Sequence, residues 1–373
     1  MEIKYSPTFN ILQKTILGAI YRSSIPKSIG GMETINSVSD FKEAKPDYQQ
    51  IWDNLKELGV PGFSIPLNKE GYELGETTVI MIVKELGKIL FDKPYLDTLI
   101  ASDILSLAND SLSENSLSSI MNGESFIGVL GLSSEIYCNN ISNQHKNLSV
   151  SSYNQYLSNV EQINQFLLVV NNNVYRLPKN ASGIEIKEVK NISNTRISKV
   201  SLNNVQLFYE NLVSIDEINF KQILGRARLR QAAYLIGLSE GALVEGINYT
   251  NRRKQFDKKL IENQSISSVF ASLLAQLEGA QLKLEHTAWL DEQNKNIFEE
   301  GTKILALVAE IALDISRKSL HFHGAFGMTK LSKIEEYYRF IALEAVRYGT
   351  PKDLWLEVGK FKMSSLKENF IHQ

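Results

Sequence analysis

The sequence predicts an α+β protein, mainly α, with a helical N-terminal domain (1–120), a β-sheet middle domain (121–218) and a C-terminal four-helix bundle (219–373). Three observations carry this. Apolar residues recur at helical spacing through the first ~115 residues. The texture then changes, from Gly123 to about Tyr209, into short runs of valine, isoleucine, tyrosine and serine broken by asparagine and glycine. Near residue 222 the helical period returns and persists. A chain of 373 residues can bury a large core and fits two or three domains better than one.

Each element has its own signal. DYQQIWDNLKELGV at 47–60 places Ile51, Leu55 and Leu58 at roughly helical spacing, and Gly59 and Pro61 end it. TTVIMIVKELGKILF at 77–91 makes one stripe from Val79, Val83, Leu86 and Leu90. A third helix is predicted around 95–120. In the middle, SFIGVLGL (125–132), NQFLLVVNNNVYRL (164–177) and TRISKVSLNNVQLFY (195–209) read as strands of a small antiparallel sheet domain. The NNN and NN interruptions suit tight turns between them. Segments 226–251, 262–292, 298–319 and 331–348 each suit a long helix, and their short joins imply an antiparallel bundle.

Composition narrows the function classes. A net charge of −2 gives no case for nucleic acid or an anionic membrane as partner. No apolar run approaches the roughly 20 residues of a membrane span. MEIKYSPTFN lacks the basic-then-apolar layout of a signal peptide, so a cytoplasmic location is expected. The single cysteine, Cys138, excludes an internal disulfide and reads as a small half-buried filler. None of the five histidines forms an i, i+4 pair with a glutamate nearby, so no metal is expected.

Three segments stand in a fixed order: NRRKQF at 251–256, HFHGAFGMT at 321–329 and YYRFIALEAVRYGT at 337–350. This trio resembles the C-terminal domain of the acyl-CoA dehydrogenase family, flavoenzymes that desaturate acyl thioesters. The resemblance extends loosely to Trp52–Val60 and SIPLNKEGYELG at 64–75, where Asn68 replaces an acid and Tyr72 a glycine. It implies FAD as cofactor. Arg253 begins an Arg-x-x-Phe-Gly-like element with Phe256, Asp257 stands at the glycine, and Gln264 follows. In the family this arginine and glutamine come from a neighbouring subunit and hold the FAD pyrophosphate and adenosine end. A guanidinium suits that task, since it grips phosphate oxygens with a fork of donors. Taken alone, Arg253 reads first as a solvated cation at a helix end, and Phe256 and Gln264 at their offsets turn the reading toward flavin. His321, Gly324 and Gly327 resemble the family's Gln-x-x-Gly-Gly-x-Gly loop, where glycines let the backbone approach the dinucleotide. His321 and His323 also read simply as polar residues finishing a helix.

The same resemblance exposes a gap. From Arg339 to Thr350 the register places Arg347 at the family's tyrosine, Tyr348 at its catalytic glutamate, and Gly349 and Thr350 as expected. A phenol with a pKa of about 10 is a poor general base at neutral pH. Some members carry the glutamate on the first bundle helix, one residue before the arginine matched by Arg228; that position is Ala227. Arg228, Tyr348 and Gly349 remain substrate-site candidates, the backbone N–H at Tyr348 among them as a donor to the thioester oxygen. Glu240 and Glu344 read as bundle-surface charges, so no catalytic base is assigned.

The resemblance favours an FAD-dependent oxidoreductase acting on an acyl thioester of coenzyme A or acyl-carrier protein, assembled as a homodimer or homotetramer. Two alternatives stay open: an FAD-binding subunit without a base in a heteromeric acyl-CoA dehydrogenase, paired with a related chain, and a non-enzymatic scaffold of the same fold.

Overall fold

The computed structural model describes residues 7–24, 46–132, 137–140, 148–170, 173–193 and 195–371. Five helices open the chain: α1 (Pro7–Ser24), α2 (Tyr48–Glu57), α3 (Glu76–Lys88), α4 (Tyr95–Ser106) and α5 (Ser111–Met121). Asp47 caps α2 by accepting from the backbone of Gln49 and Gln50. The single helix expected over 95–120 is two, because Asp110 accepts from the Ser113 backbone and starts a new N-terminus. Asp110 also pairs with the buried Arg176 of the sheet domain.

The middle of the chain forms two four-stranded sheets. One runs in the order β1 (Phe126–Leu130), β4 (Ile163–Val170), β5 (Asn173–Pro178), β8 (Leu212–Ser214). The other runs β2 (Tyr137–Asn140), β3 (Leu148–Ser158), β7 (Ile197–Leu207), β6 (Ile184–Val189). The expectation of antiparallel pairing is corrected at one place, where β1 and β4 run parallel. The Asn203–Asn204 pair is not a turn either. β7 continues through it with an extra residue against β3, and Asn204 adopts φ +50° where its amide bonds the Ser151 hydroxyl. The first two asparagines of the NNN run, and the side chain of Cys138, lie outside the described residues. Phe166, Leu168, Val200 and Leu202 fill the space between the sheets.

The bundle consists of α6 (Glu217–Arg252), α7 (Gln264–Glu292), α8 (Phe298–His323), α9 (Lys333–Glu344) and α10 (Pro351–Ile371). α6 starts earlier than its apolar period suggests, because Asp216 caps it. A two-strand hairpin, β9 (Lys254–Gln255) and β10 (Lys258–Lys259), joins α6 to α7. α9 stops at Glu344, short of the expected 348, and Thr350 with Asp353 starts α10. One apolar core unites the N-terminal helices with the bundle. Inside it, Arg230 of α6 is fully buried and holds Glu76 of α3 and Asp103 of α4. Arg339 of α9 donates to the Ile192 carbonyl between β6 and β7, tying the bundle to the second sheet.

Candidate active site

A cleft of about 370 Å³ lies where the two sheets, α4 and the end of α9 meet. That volume is within the range of small-molecule sites. Its sheet side is made by Val129 and Leu132 at the end of β1 and by Tyr156, Leu157 and Ser158 at the end of β3. Asn159, at φ +50°, follows immediately and leads into the short 3-10 helix Val160–Gln162. Tyr156 pairs with Lys199 across the sheet and leaves 55% of its surface exposed. Gln155 closes the rim by accepting from the Gly131 backbone at 3.1 Å.

The opposite wall comes from α9 and the turn after it: Leu343, Glu344, Val346, Arg347 and Tyr348. Tyr348 packs against the cluster that contains Ala227, so the two positions singled out by resemblance border one apolar patch. Burial pushes the Tyr348 phenol up to about 12. It therefore stays protonated at neutral pH. Gly349 follows at φ +106°, turning the backbone toward α10.

A charged trio sits at the base of the cleft. Arg347 Nη2 donates to Asp97 Oδ2 at 2.7 Å, and Arg347 Nη1 lies 3.4 Å from Glu344 Oε2. Burial works against the guanidinium charge, but the two carboxylates outweigh it and hold Arg347 protonated well above its ordinary range. Glu344 is only 8% exposed. This corrects its reading as a surface charge. Glu240, by contrast, does pair on the bundle flank with Lys84 and Lys88. The burial of Glu344 had a signal in the sequence: it falls on the α9 stripe of Ile334, Tyr337 and Ile341, all buried.

Arg228 does not line this cleft. Its guanidinium makes a two-point contact with Glu357 of α10, donates to Thr302, and lies 5.0 Å from the Phe298 ring centre. It fastens α10 to the bundle. The other sequence candidates gather at the far end of α6. Gln231 of α6 touches Glu344 in the cleft wall. From Gln231 to Arg253 the helix covers roughly 33 Å at a rise of about 1.5 Å per residue.

At that far end, Arg253, Gln264 and His321 are exposed. Arg253 has no ion-pair partner among the described residues. The hairpin turns through Phe256 (φ +52°) and Asp257 (φ +62°), the conformation of a two-residue turn with both central residues left-handed. Phe256 is 96% exposed at its tip. Tyr249 of α6 stacks on His323 at 4.2 Å, with Phe326 beyond it, so the loop after α8 leans on the same helix end. The two glycines of that loop differ. Gly324 adopts φ +60° with open space where a side chain would point. Gly327 is buried, and a Cβ there would meet the His323 Cβ at 2.7 Å. Its small size serves packing within the loop.

The helical ends around two central sheets, with a cleft where sheet and bundle meet, define the acyl-CoA dehydrogenase fold. Residues 219–358 match the acyl-CoA dehydrogenase C-terminal domain. The CarC subunit of the caffeyl-CoA reductase–Etf complex of Acetobacterium woodii is 33% identical over 132 residues, 35% of this chain and 35% of that relative. The short-chain specific acyl-CoA dehydrogenase of Clostridium acetobutylicum is 23% identical over 328 residues, 80% of this chain and 86% of the relative. Among solved structures, the ChsE4–ChsE5 complex of Mycobacterium tuberculosis superposes with a TM-score of 0.82 at 15% identity, covering 96% of this chain and 98% of that one. Residues 219–358 thus form a domain of the acyl-CoA dehydrogenase family, and the chain shares that family's fold. FAD is the cofactor of that family.

The residues present fit such a group in two separate parts. The cleft offers aromatic and aliphatic walls (Tyr156, Leu132, Tyr348) and a polar base suited to a flat ring system. The exposed end of the bundle offers an unpaired guanidinium, an amide, an imidazole and an aromatic tip suited to a diphosphate and a base. Among the described residues no helix is long and apolar enough to cross a membrane, and no group of His, Cys, Asp and Glu could hold a metal ion.

Proposed function

We propose that the chain is an FAD-dependent oxidoreductase acting on an acyl thioester of coenzyme A or acyl-carrier protein, with a flavin site completed by a second chain. The observation that carries this is the separation of its two cofactor-suited parts. Arg253, Phe256, Gln264, His321 and Gly324 stand roughly 33 Å along α6 from the cleft, too far to serve the same dinucleotide end to end from one chain. A homodimer or homotetramer places one chain's hairpin at another's cleft, and the bare Phe256 tip is the kind of aromatic anchor that such a contact buries.

Within the cleft the chain's own groups divide the work. Tyr156 and Leu132 form an apolar wall that excludes water from a bound ring. Tyr348, protonated at neutral pH, can donate a hydrogen bond but cannot take a proton from carbon. Its ring narrows the space beside the position it occupies. Bound flavin would supply the two-electron acceptor of the reaction. Arg347, saturated by Asp97 and Glu344, orders the base of the cleft.

The test is direct. The purified protein should be yellow, with flavin released on denaturation, and Arg253→Ala should lower its flavin content at least tenfold. A colourless protein that refuses added FAD overturns the reading. A second reading is favoured by the likeness to the two-component ChsE4–ChsE5 complex: the chain lends its bundle end to a related subunit carrying a glutamate at the position of Tyr348. It predicts that flavin and acyl-CoA oxidation appear only on co-expression with such a chain. In the homomeric case, Tyr348→Glu in flavin-loaded protein should raise acyl-CoA dehydrogenation.

A further inference from the structure

We propose that Glu344 is the proton acceptor of this site, standing at the end of α9, four positions before the residue that occupies the family's base position. This rests on the acyl-thioester reading above.

The case begins with burial. Glu344 shares the apolar stripe of α9 with Ile334, Tyr337 and Ile341, yet carries a carboxylate that lines the cleft at 8% exposure. A carboxylate at an apolar position is costly to keep. Packing alone does not account for it, since a leucine would fill that stripe at lower cost.

Its contacts suit a base better than a structural anchor. Gln231, itself fully buried, donates through Nε2 to Glu344 Oε2 at 2.9 Å and to the Glu344 backbone carbonyl at 3.0 Å. This neutral amide fixes the side chain's direction without a full positive charge against it. Among the described residues, Arg347 is the cation that reaches Oε2, at 3.4 Å, while its short 2.7 Å bond goes to Asp97. Asp97 thus takes the shorter bond to the guanidinium. Glu344 Oε1 accepts no hydrogen bond among the described residues. It is the oxygen left for a substrate proton.

The step balances without an oxidant. The C–H bond at the carbon α to the thioester breaks, its electron pair moves onto the carbonyl oxygen, and an O–H bond forms at Glu344. Return of a proton from the same carboxyl, after exchange with solvent, restores the substrate. In D2O the reaction is therefore a redox-neutral α-deuteration, visible whether or not net oxidation follows.

The experiment incubates FAD-loaded protein in D2O with butyryl-CoA, octanoyl-CoA and 3-phenylpropanoyl-CoA, and follows α-deuterium by mass spectrometry while calorimetry measures binding of each. Wild type should deuterate every acyl-CoA it binds. Glu344→Gln should slow exchange on the order of 10²–10⁴-fold with flavin content and acyl-CoA affinity retained. Glu240→Gln, a carboxylate on the bundle flank outside the cleft, should keep exchange within about tenfold of wild type. Should the amide fail to fold, Glu344→Asp, which keeps the charge but withdraws it, should lower exchange up to about 100-fold. Exchange at the wild-type rate in Glu344→Gln or Glu344→Asp overturns the proposal, as does a wild type that binds an acyl-CoA without exchanging it. If wild type binds none of the three, the thioester reading itself fails, and binding data separate that result from the others.

Discussion

Replacing Arg230 by methionine removes the buried charge where the bundle meets the N-terminal helices and leaves its cavity filled. Arg230 makes two 2.8 Å bonds to Glu76 and bonds of 2.6 and 3.3 Å to Asp103, with all three side chains under 5% exposed. Without the guanidinium, two buried carboxylates keep only the partial help of Arg226, 3.8 Å from Asp103 and already committed to Asp291. Breaking a buried pair in this way costs about 3–5 kcal/mol. Set against a typical total of about 5–15 kcal/mol, that is a large share. At a slope of about 4 kcal/mol per M for a chain of this size, the urea midpoint should fall by roughly 1 M. The loss has a pH signature. Burial holds the Glu76 carboxyl up to about 7 even beside Arg230, and removing the arginine drives it higher. A carboxyl whose folded pKa is raised loses stability as pH rises through the interval above its unfolded value. The deficit of Arg230→Met should thus be smaller at pH 5 than at pH 8.5. Urea unfolding followed by circular dichroism at both pH values checks this. A deficit below about 1 kcal/mol at pH 8.5, or equal deficits at both, would refute the reasoning.

The hairpin and the sheet domain give further outcomes. Asp257→Gly should stabilise the folded protein by up to about 1 kcal/mol, because residue 257 sits at φ +62°; a thermal melt that moves downward counts against the turn described. Asp110→Ala removes the cap of α5 and the partner of buried Arg176, and should cost about 2 kcal/mol in chemical denaturation. Hydrogen bonds from Ser113 and Arg176 outweigh burial and hold Asp110 below the usual carboxylate range. Its contribution is therefore present above the unfolded value near 4 and lost as pH falls through the depressed folded one. The gap between wild type and Asp110→Ala should shrink in strong acid.

Much of the fold was legible because helices announce themselves locally. The stripes of α2, α3 and the bundle follow from 3.6-residue spacing alone. What stayed hidden depends on partners far along the chain. Nothing near Phe126 says that it runs parallel to a strand starting at Ile163. Asn203–Asn204 looks like a turn until Ser151 is found opposite it. The site was legible by halves. Arg253, Phe256 and His321 stand out as a motif, yet the cleft wall of Tyr156, Leu157 and Ser158 has only an ordinary strand pattern. Arg228 matches a motif but spends its charge on Glu357, 129 positions later. Glu344 reads as a surface charge from the sequence despite its place on the α9 stripe, and its burial and its partner Gln231 emerge only in three dimensions.

The distance between hairpin and cleft has a genetic consequence. If one chain's hairpin serves another's cleft, a chain damaged at Arg253 and a chain damaged at Glu344 fail for unrelated reasons. Mixed in one assembly, they would recreate an intact pair wherever the sound hairpin of the second meets the sound cleft of the first. Two inactive alleles would then rescue each other in the same cell, which no arrangement with a self-contained site allows.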